Sequence, residues 1–225
     1  MFGLAPPWWG SGNVTLTPQG WDSSTNTTSV NGAIALSDGN RLASYTATSF
    51  AIGSIKAYRP RLSGKYYWEV AITMTGFAYP QPGWTNIGTG ATGNPYASGY
   101  WFSLYPILGT ITLGRSGGGT YTTSIGAVAS GSIVMIAVDI DNDMAWFGVN
   151  GVWKFSGDPA AGTNPTLSKA GLGADANIVA GRPAINFDDK TAATASMRGA
   201  AADVTYAVPS GFKAWYDPDD TAYDA

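Results

Sequence analysis

The sequence predicts an all-β protein, and three observations support this class. Residues 133–151 (IVMIAVDIDNDMAWFGVNG) hold two apolar runs around a short acidic turn and end in Asn-Gly, a pair typical of tight β-turns. Residues 65–73 (KYYWEVAIT) alternate with the period of two that indicates a strand with one buried face. Elsewhere, short apolar pieces are separated by turns rich in Gly, Asn and Ser, and 225 residues is a common length for one all-β domain.

The run from Ile133 to Ile140 is predicted to be a deeply buried strand, because apolar residues occupy both of its faces. The second run, from Met144 to Val149, is also apolar on both faces. We interpret the two runs as a central hairpin. Trp146 and Phe147 are expected to fill the core.

Short strands are also predicted ahead of this hairpin. Residues 33–36 and 41–45 flank Asp38-Gly39-Asn40, which is expected to close them as a β-hairpin. A further short strand is predicted at 14–16. In the strand at 65–73, Trp68 is interpreted as a core residue.

Residues 74–132 are predicted to be mostly long loops that flank a short strand at 87–91. Two more strands are expected at 99–104 and 110–113, and Gly117-Gly118-Gly119 forms a flexible tip. Loops gather at the ends of stacked sheets and often carry binding residues. We therefore expect recognition in this part of the chain.

After the hairpin, residues 157–177 are predicted to form a long loop rich in Gly, Pro and Ala. Strand character resumes at 178–185, where Pro183 indicates a sheet edge or a bulge. Residues 191–203 (TAATASMRGAAAD) are predicted to form one short helix. Residues 217–225 form an acidic tail that is expected to fray.

The composition excludes several kinds of chemistry. The chain has no Cys and no His, which rules out disulfides, a cysteine nucleophile, the usual zinc ligands and a Ser-His-Asp arrangement. Charged residues are only 12% and the net charge is -3, which argues against nucleic-acid binding. No apolar stretch approaches the ~20 residues of a membrane span, and the N-terminus does not resemble a signal peptide. No cofactor is predicted.

Five motifs occur in a fixed order along the chain: KYYWEVAI at 65–72, glycines at 88–90, the hairpin closing on Val-Asn-Gly, AINFD from 184 and VPSGFKAW from 208. Together they resemble the landmarks of SPRY domains, and most of all those of SPRY-like proteins from bacteriophages and prophages. The resemblance covers roughly residues 14–216. It implies one antiparallel two-sheet β-sandwich of the jelly-roll type, with 208–215 packed back against it.

Residues 1–13 (MFGLAPPWWGSGN) lie outside this resemblance and are predicted to form an extended apolar arm. Aromatic residues on such an arm commonly meet a partner, because each buries on the order of 150 Å² or more. We predict attachment to another virion protein through Phe2, Leu4, Trp8 and Trp9. The alternative is that the arm folds back over its own sandwich.

Ligand binding is predicted at the aromatic loops of the middle segment. Planar rings beside Asn, Thr and Ser suit sugar rings or peptide backbones. The predicted ligand-binding residues are Trp84, Asn86, Tyr96, Tyr100 and Trp101.

Two constellations suggest other chemistry but are not predicted to be functional sites. Asp139, Asp141 and Asp143 resemble the opening of a calcium loop, but the required Gly and Glu are replaced by Met144 and Asn150, so a solvated turn is predicted. No metal site is therefore expected. The glycines at 88, 90 and 93 lack the following helix, the lysine and the βαβ context of a phosphate-binding loop.

No carboxylate pair suited to glycoside hydrolysis stands out. Glu69 is the only glutamate in the chain and is expected on the sheet surface. No catalytic residue is predicted.

These observations favour a non-enzymatic binding module. The family resemblance implies a virion component, such as a fibre, spike or decoration protein, that presents loops to a host-surface glycan or to another protein. Such a protein would be made in the host cytoplasm and carried on the virion, and self-association is left open. The alternatives are a carbohydrate-active hydrolase or lyase on the same sandwich, and a peptide-binding SPRY module.

Overall fold

A computed structural model describes residues 20–28, 32–47, 52–57, 60–75, 79–86, 100–115, 121–168, 181–188, 193–198 and 204–215. These residues form strands, turns and one 3-10 turn at Lys154–Ser156. The strands are β1 (Trp21–Thr28), β2 (Gly32–Ser37), β3 (Leu42–Ala47), β4 (Ile52–Ala57), β5 (Lys65–Met74), β6 (Tyr79–Asn86), β7 (Tyr100–Tyr105), β8 (Thr110–Arg115), β9 (Tyr121–Ser124), β10 (Ile133–Asp139), β11 (Met144–Val149), β12 (Val152–Trp153), β13 (Leu167–Ser168), β14 (Gly181–Asp188), β15 (Ala193–Arg198) and β16 (Lys213–Ala214).

The strands form two sheets that pack face to face, which confirms the predicted all-β sandwich. Sheet A has the order β1-β4-β14-β6-β7-β8-β9, and sheet B has the order β12-β11-β10-β5-β15-β3-β2. All of these neighbours are antiparallel; β13 adds to β11, and β16 adds in parallel to β5. The main core lies between the sheets and is rich in aromatic residues such as Trp21, Trp68, Trp84, Phe147 and Trp215.

The predicted central hairpin is confirmed. β10 pairs with β11 on one side and with β5 on the other, so it lies inside sheet B. Its two apolar faces enter two cores, with Ile136 in the main one and Met135 in a smaller one on the outer side of the sheet. Asn150 and Gly151 have φ of 50° and 84° and turn the chain from β11 into β12.

The hairpin predicted around Asp38-Gly39-Asn40 is confirmed as well. β2 and β3 pair in register on either side of it, and all three turn residues have positive φ. Asn, Asp and Gly are the residues that accept this conformation most readily. β7 and β8 agree with the strands expected at 99–104 and 110–113.

β5 is more buried than its alternation predicts. Tyr67 and Glu69 lie on the outer face of the sheet, yet both are fully buried. The segment 204–212 packs over this face and places Phe212 beside Tyr67 and Trp146 in the smaller core. The prediction that Glu69 lies on the sheet surface is therefore wrong.

β6 was not expected, because YPQPGWTN has the composition of a loop. Pro80 and Pro82 lie in the half of β6 that pairs only with β14, since pairing with β7 begins at Gly83. A proline cannot donate a backbone hydrogen bond, so it fits where a strand has one neighbour. The strand predicted at 87–91 falls outside the described residues.

Pro183 does not mark a sheet edge, which corrects the first of the two positions predicted for it, an edge or a bulge. β14 lies between β4 and β6 in the interior of sheet A. Pro183 pairs with Trp84 of β6, whereas the ladder with β4 begins one residue later, at Ala184. The proline therefore precedes the doubly paired part of β14.

The short helix predicted at 191–203 is also wrong, because residues 193–198 form β15 in the interior of sheet B. Ala193, Ala195 and Met197 are buried, whereas the residues between them are partly exposed. Helix propensity favours the alanines, but pairing with β3 and β5 on both sides overrides it. Small side chains at alternate positions suit the crowded interior face.

The remaining sequence predictions are met only in part. The predicted loop at 157–177 contains β13, and its residues from 169 onward are outside the described residues. The predicted strand at 14–16 and the tail at 217–225 are also outside them. β1, β4 and β9 were missed, because WDSSTNTT, IGSIKA and YTTS lack a strong apolar alternation. The domain limits at 13 and 216 stay predictions.

Candidate functional site

The structure separates the predicted ligand-binding residues. Trp84 is only 1% exposed and lies in the main core, with ring centroids 5.7 Å from Trp68 and 5.5 Å from Trp215. It offers no surface to a ligand, so its predicted binding role is corrected. The segment was read as a loop, and in a strand every second residue faces the core.

Trp101 is the predicted residue that the structure places at the surface. It is partly exposed on β7, opposite Thr85 of β6 and Gly114 of β8. Thr85 follows the core residue Trp84, so the row containing Trp101 lies on the outer face of sheet A. Arg182 of β14 completes this row on the other side of Thr85.

The indole of Trp101 lies over Gly114. A Cβ atom at position 114 would be 2.5 Å from Cζ2 and 2.7 Å from Cε2 of the ring. Such distances are shorter than any normal contact, so only glycine leaves room for the ring in this place. The sheet surface therefore holds Trp101 as an aromatic platform.

The next row of the outer face consists of small hydroxyl residues. Ser103, Thr112 and Thr122 stand side by side on β7, β8 and β9. Thr122 is exposed, Thr112 is partly exposed and Ser103 is buried. We call the two rows the outer A face, which consists of Thr85, Trp101, Ser103, Thr112, Thr122 and Arg182.

Charged residues border the outer A face on the β4 side. The guanidinium Nη1 of Arg182 lies 3.7 Å from Oδ2 of Asp22 and donates to the Ala57 carbonyl at 3.3 Å. Lys56 is buried on the same side; this burial, and the nearby positive charge of Arg182, lower the pKa of Lys56 from 10.5 to about 8. Charge thus concentrates at one side of the face, and hydroxyl groups at the other.

The other predicted binding residues are placed only in part. Asn86 is the last residue of β6 and is partly exposed at the end of the sandwich from which β7 starts. Tyr100 opens β7, but its side chain is not among those described, and Tyr96 lies outside the described residues. The predicted attachment residues Phe2, Leu4, Trp8 and Trp9 also lie outside them.

The carboxylate of Glu69 is held by hydrogen bonds inside the fold. Its Oε1 accepts hydrogen bonds from the Tyr67 hydroxyl at 2.7 Å and the Tyr206 N–H at 2.8 Å, and its Oε2 accepts one from the Thr205 N–H at 2.8 Å. Burial, followed by this hydrogen bond and the charge of Glu69, raises the pKa of Tyr67 above its ordinary value. The carboxylate anchors the segment 204–206 to sheet B and does not face a cleft.

The aspartates of the β10–β11 turn also have structural partners. Asp139 is fully buried; its Oδ2 lies 3.0 Å from Lys65 Nζ and accepts from the Asn142 amide at 2.8 Å. Asp141 accepts a hydrogen bond from the Gly64 N–H at 3.0 Å. Within the described ranges no cluster of three or more acidic residues is arranged to hold a metal ion.

Sequence reasoning missed Thr85, Ser103, Thr112 and Arg182. They belong to strands whose pairing decides which side chains share a face. The composition of β6 predicts a loop, so the position of Thr85 on this face could not be predicted. The alternation in β7 and β8 was the available signal. Trp101 and Ser103 are two positions apart and therefore lie on the same face of β7, and the same holds for Thr112 and Gly114 on β8. In the part of the chain that the structure describes, no helix is long and apolar enough to cross a membrane.

Comparison with known proteins shows the fold. No protein-family model matches the chain, and no curated protein sequence matches it. The SPRY domain of human HERC1 superposes with a TM-score of 0.54 at 13% identity, covering 80% of this chain and 97% of that domain. A second human SPRY domain gives a TM-score of 0.52 at 16% identity, covering 74% of this chain and 96% of that domain.

The chain therefore has a SPRY-like β-sandwich, as its motifs imply. The carbohydrate-binding module CBM66 from Bacillus subtilis is similar at a TM-score of 0.47 and 12% identity, covering 77% of this chain and 92% of the module. Identities this low show only that the architecture is shared.

Proposed function

We propose that this protein is a non-enzymatic recognition module that binds a host-surface glycan at the outer A face. The observation that carries the proposal is Trp101, whose ring lies over Gly114 at the end of the sheet from which the predicted recognition loops emerge. An aromatic ring beside hydroxyl groups suits a sugar, because its flat apolar surface stacks on the ring while the hydroxyls exchange hydrogen bonds. Thr112, which is partly exposed, and Thr122, which is exposed, supply hydroxyls on the same face.

The positions of the Glu69 and Asp139 carboxylates support binding without catalysis. Glu69 and Asp139 are buried and hold segments of the fold together. Hydrolysis of a glycosidic bond by the common mechanism needs two carboxyl groups facing each other across a cleft. In this proposal the ligand is recognised and left unchanged.

The proposal further makes the protein a phage virion component: a fibre, spike or decoration protein. This part rests on the motif resemblance alone. It is tested by mass spectrometry of purified particles induced from a lysogen that carries the gene. Absence of the protein from washed particles would contradict it, whereas the glycan-binding part would stand on its own assay.

The binding site is tested with Trp101→Ala and Gly114→Ala on an array of bacterial capsule and lipopolysaccharide glycans, followed by calorimetry on the glycans that bind. Trp101→Ala removes the platform and should weaken binding at least about tenfold. Gly114→Ala keeps the indole but displaces it, so it should also weaken binding. Phe155→Ala is the matched control, because it removes an aromatic ring that is 50% exposed near the β12 edge of sheet B.

Three results would overturn the proposed function or its site. Equal affinity of wild type and Trp101→Ala would place the ligand elsewhere. Release of reducing ends from a bound glycan would favour the hydrolase or lyase alternative. Binding to extended peptides, without any glycan that binds, would favour the peptide-binding alternative.

A further inference from the structure

The turn between β7 and β8 exposes two large aliphatic side chains. The Gly109 N–H donates to the Pro106 carbonyl at 3.0 Å, which closes a tight turn with Ile107 and Leu108 at its two central positions. Ile107 is 42% exposed and Leu108 is 63% exposed. Central turn positions most often hold Pro, Gly, Asn, Asp or Ser, so two adjacent aliphatic residues there are uncommon.

The turn is held firmly in place. The Val128 N–H donates to the Pro106 carbonyl at 2.8 Å, and the Ile125 N–H donates to the Gly109 carbonyl at 2.8 Å. Gly109 has φ of 59°, and a Cβ atom there would be 1.8 Å from the Gly126 carbonyl oxygen. The aliphatic pair is therefore presented in a fixed position, which lowers the entropy cost of docking.

Three loops at the turn end of the sandwich are uncharged. The loops at 106–109, 125–132 and 150–151 contain no Asp, Glu, Lys or Arg, whereas Asp188 ends β14 at the same end of sheet A, two strands away from β7. Ala127 is exposed beside the turn. We call Ile107, Leu108 and Ala127 the turn patch.

The opposite end of the sandwich carries charged contacts. Lys65 and Asp139 form an ion pair there, and Arg182 and Asp22 lie close together. An apolar partner could cover the turn patch at little desolvation cost, because Ile107, Leu108 and Ala127 carry no polar side-chain atom.

The N-terminal arm has the matching chemistry. Residues 1–21 contain no charged residue, and the arm at 1–13 includes Phe2, Leu4, Trp8 and Trp9. Nineteen residues precede Gly20 and can span up to roughly 60 Å when extended. That length exceeds the roughly 33 Å of a ten-residue strand such as β5, so the arm can reach the turn patch of a second copy as well as that of its own.

Gly20, where the described chain begins, lies at the end of the sandwich opposite the turn patch. β1 begins opposite Ala57 of β4, at the end where Trp101 lies, whereas β7 runs away from that end to the turn. We propose that the arm of one copy of this chain docks on the turn patch of a second copy. Such a head-to-tail contact uses two different surfaces, so it produces a ring or a filament.

The proposal is tested on the full chain by sedimentation velocity across a concentration series. Wild type should associate, and both the deletion of residues 1–13 and the Ile107→Ser/Leu108→Ser variant should weaken association at least tenfold. Val152→Ser is the matched control, because it removes a side chain that is 64% exposed outside the turn patch and should leave association unchanged. Thermal unfolding of each variant verifies that the sandwich is intact, and Leu108→Ser alone serves if the double variant unfolds early.

A mixing experiment tests the head-to-tail geometry. The arm deletion retains the turn patch, and the double serine variant retains the arm, so an equimolar mixture should form a 1:1 heterodimer although neither chain associates alone. A mixture that stays monomeric would overturn the proposal. A wild type that stays monomeric would also overturn the proposal. This holds even if its own arm protects residues 106–109 from hydrogen exchange.

Discussion

Glu69 shows how a single side chain can differ from its sequence-based assignment. The alternation in β5 correctly places it on the outer face of sheet B. Its burial comes from residues 204–206, which are more than 130 positions away along the chain. Alternation reports which face a residue belongs to, but it does not report what covers that face.

We predict that Glu69→Gln destabilises the fold without affecting glycan binding. The Glu69 carboxylate accepts three hydrogen bonds, and the glutamine amide would direct an N–H group towards one of the three donors. The lost hydrogen bond should lower the free energy of unfolding by about 1–3 kcal/mol. For a chain of this size this corresponds to a decrease in Tm of roughly 2–4 °C per kcal/mol. Urea unfolding and calorimetry measure both quantities.

Asp158→Asn is the matched control, because it makes the same chemical change at an exposed residue. Its effect should stay within about 0.5 kcal/mol. Equal effects of the two substitutions would contradict the anchoring role of Glu69.

Aromatic residues were assigned correctly where the strand was recognised. Trp68, Trp146 and Phe147 were expected in the core, and all three are fully buried. Trp84 was misplaced because the prolines of β6 disguised the strand, whereas Trp101 was placed correctly at the surface. The inner and outer faces of sheet A could be told apart only once β6 was known.

At the scale of elements, propensity failed where neighbours decided the conformation. β15 is rich in alanine and β6 in proline, and both are strands because pairing partners lie beside them. The β2–β3 and β10–β11 hairpins were predicted correctly because their turn residues act locally. The sequence signal was therefore strong for contacts between adjacent elements and weak for contacts between distant ones.

The segment after β12 stores backbone strain. Phe155 and Ser156 have φ of 57° and 55°, a region that costs a residue with a Cβ about 1 kcal/mol or more. Asn164 donates from its amide to the Ser156 carbonyl at 3.1 Å, and the Gly157 N–H donates to the Lys154 carbonyl at 2.9 Å. These bonds hold the strained conformation in place.

We predict that Ser156→Gly stabilises the protein by about 1 kcal/mol, because glycine accepts this conformation without strain. The Ser156 side chain is exposed and its carbonyl contact is retained. Ser63→Gly is the matched control at an exposed serine without positive φ, and it should destabilise by about 0.5 kcal/mol. A decrease in Tm for Ser156→Gly would show that the conformation is not strained.

At the scale of the whole molecule, the charge distribution predicts how stability depends on pH. The pKa of Lys56 falls from 10.5 to about 8 on folding, mainly through burial. Between these values the unfolded chain holds a proton that the folded chain has released, so the free energy of unfolding rises with pH in this window. Below about pH 8 both states hold the proton and the dependence ends.

We predict that this rise disappears in Lys56→Met. The difference in unfolding free energy between wild type and variant should be constant below about pH 7 and should increase from about pH 8 to 10.5 in favour of wild type. Urea unfolding at pH 6.5, 8 and 9.5 measures it. Parallel curves across the series would show that Lys56 keeps its ordinary proton affinity in the fold.

The architecture as a whole was predictable because its motifs occur in the order seen in SPRY domains. The outer A face was not, because it is assembled from strands that are distant in sequence, and Arg182 meets Thr85 and Trp101 only through the pairing of β14, β6 and β7. A recognition face of this kind depends on register. Composition alone indicated only that its surface would be polar and nearly uncharged.

The return of the C-terminal segment to β5 has a consequence for biosynthesis. Trp215 packs against Trp68 and Trp84, and its carbonyl accepts a hydrogen bond from Arg61, which is 154 positions earlier. The core between the two layers is therefore complete only after the ribosome has released residue 215. Contacts of such long sequence separation make folding slow, so the nascent chain spends that interval with its central strands open to chaperones.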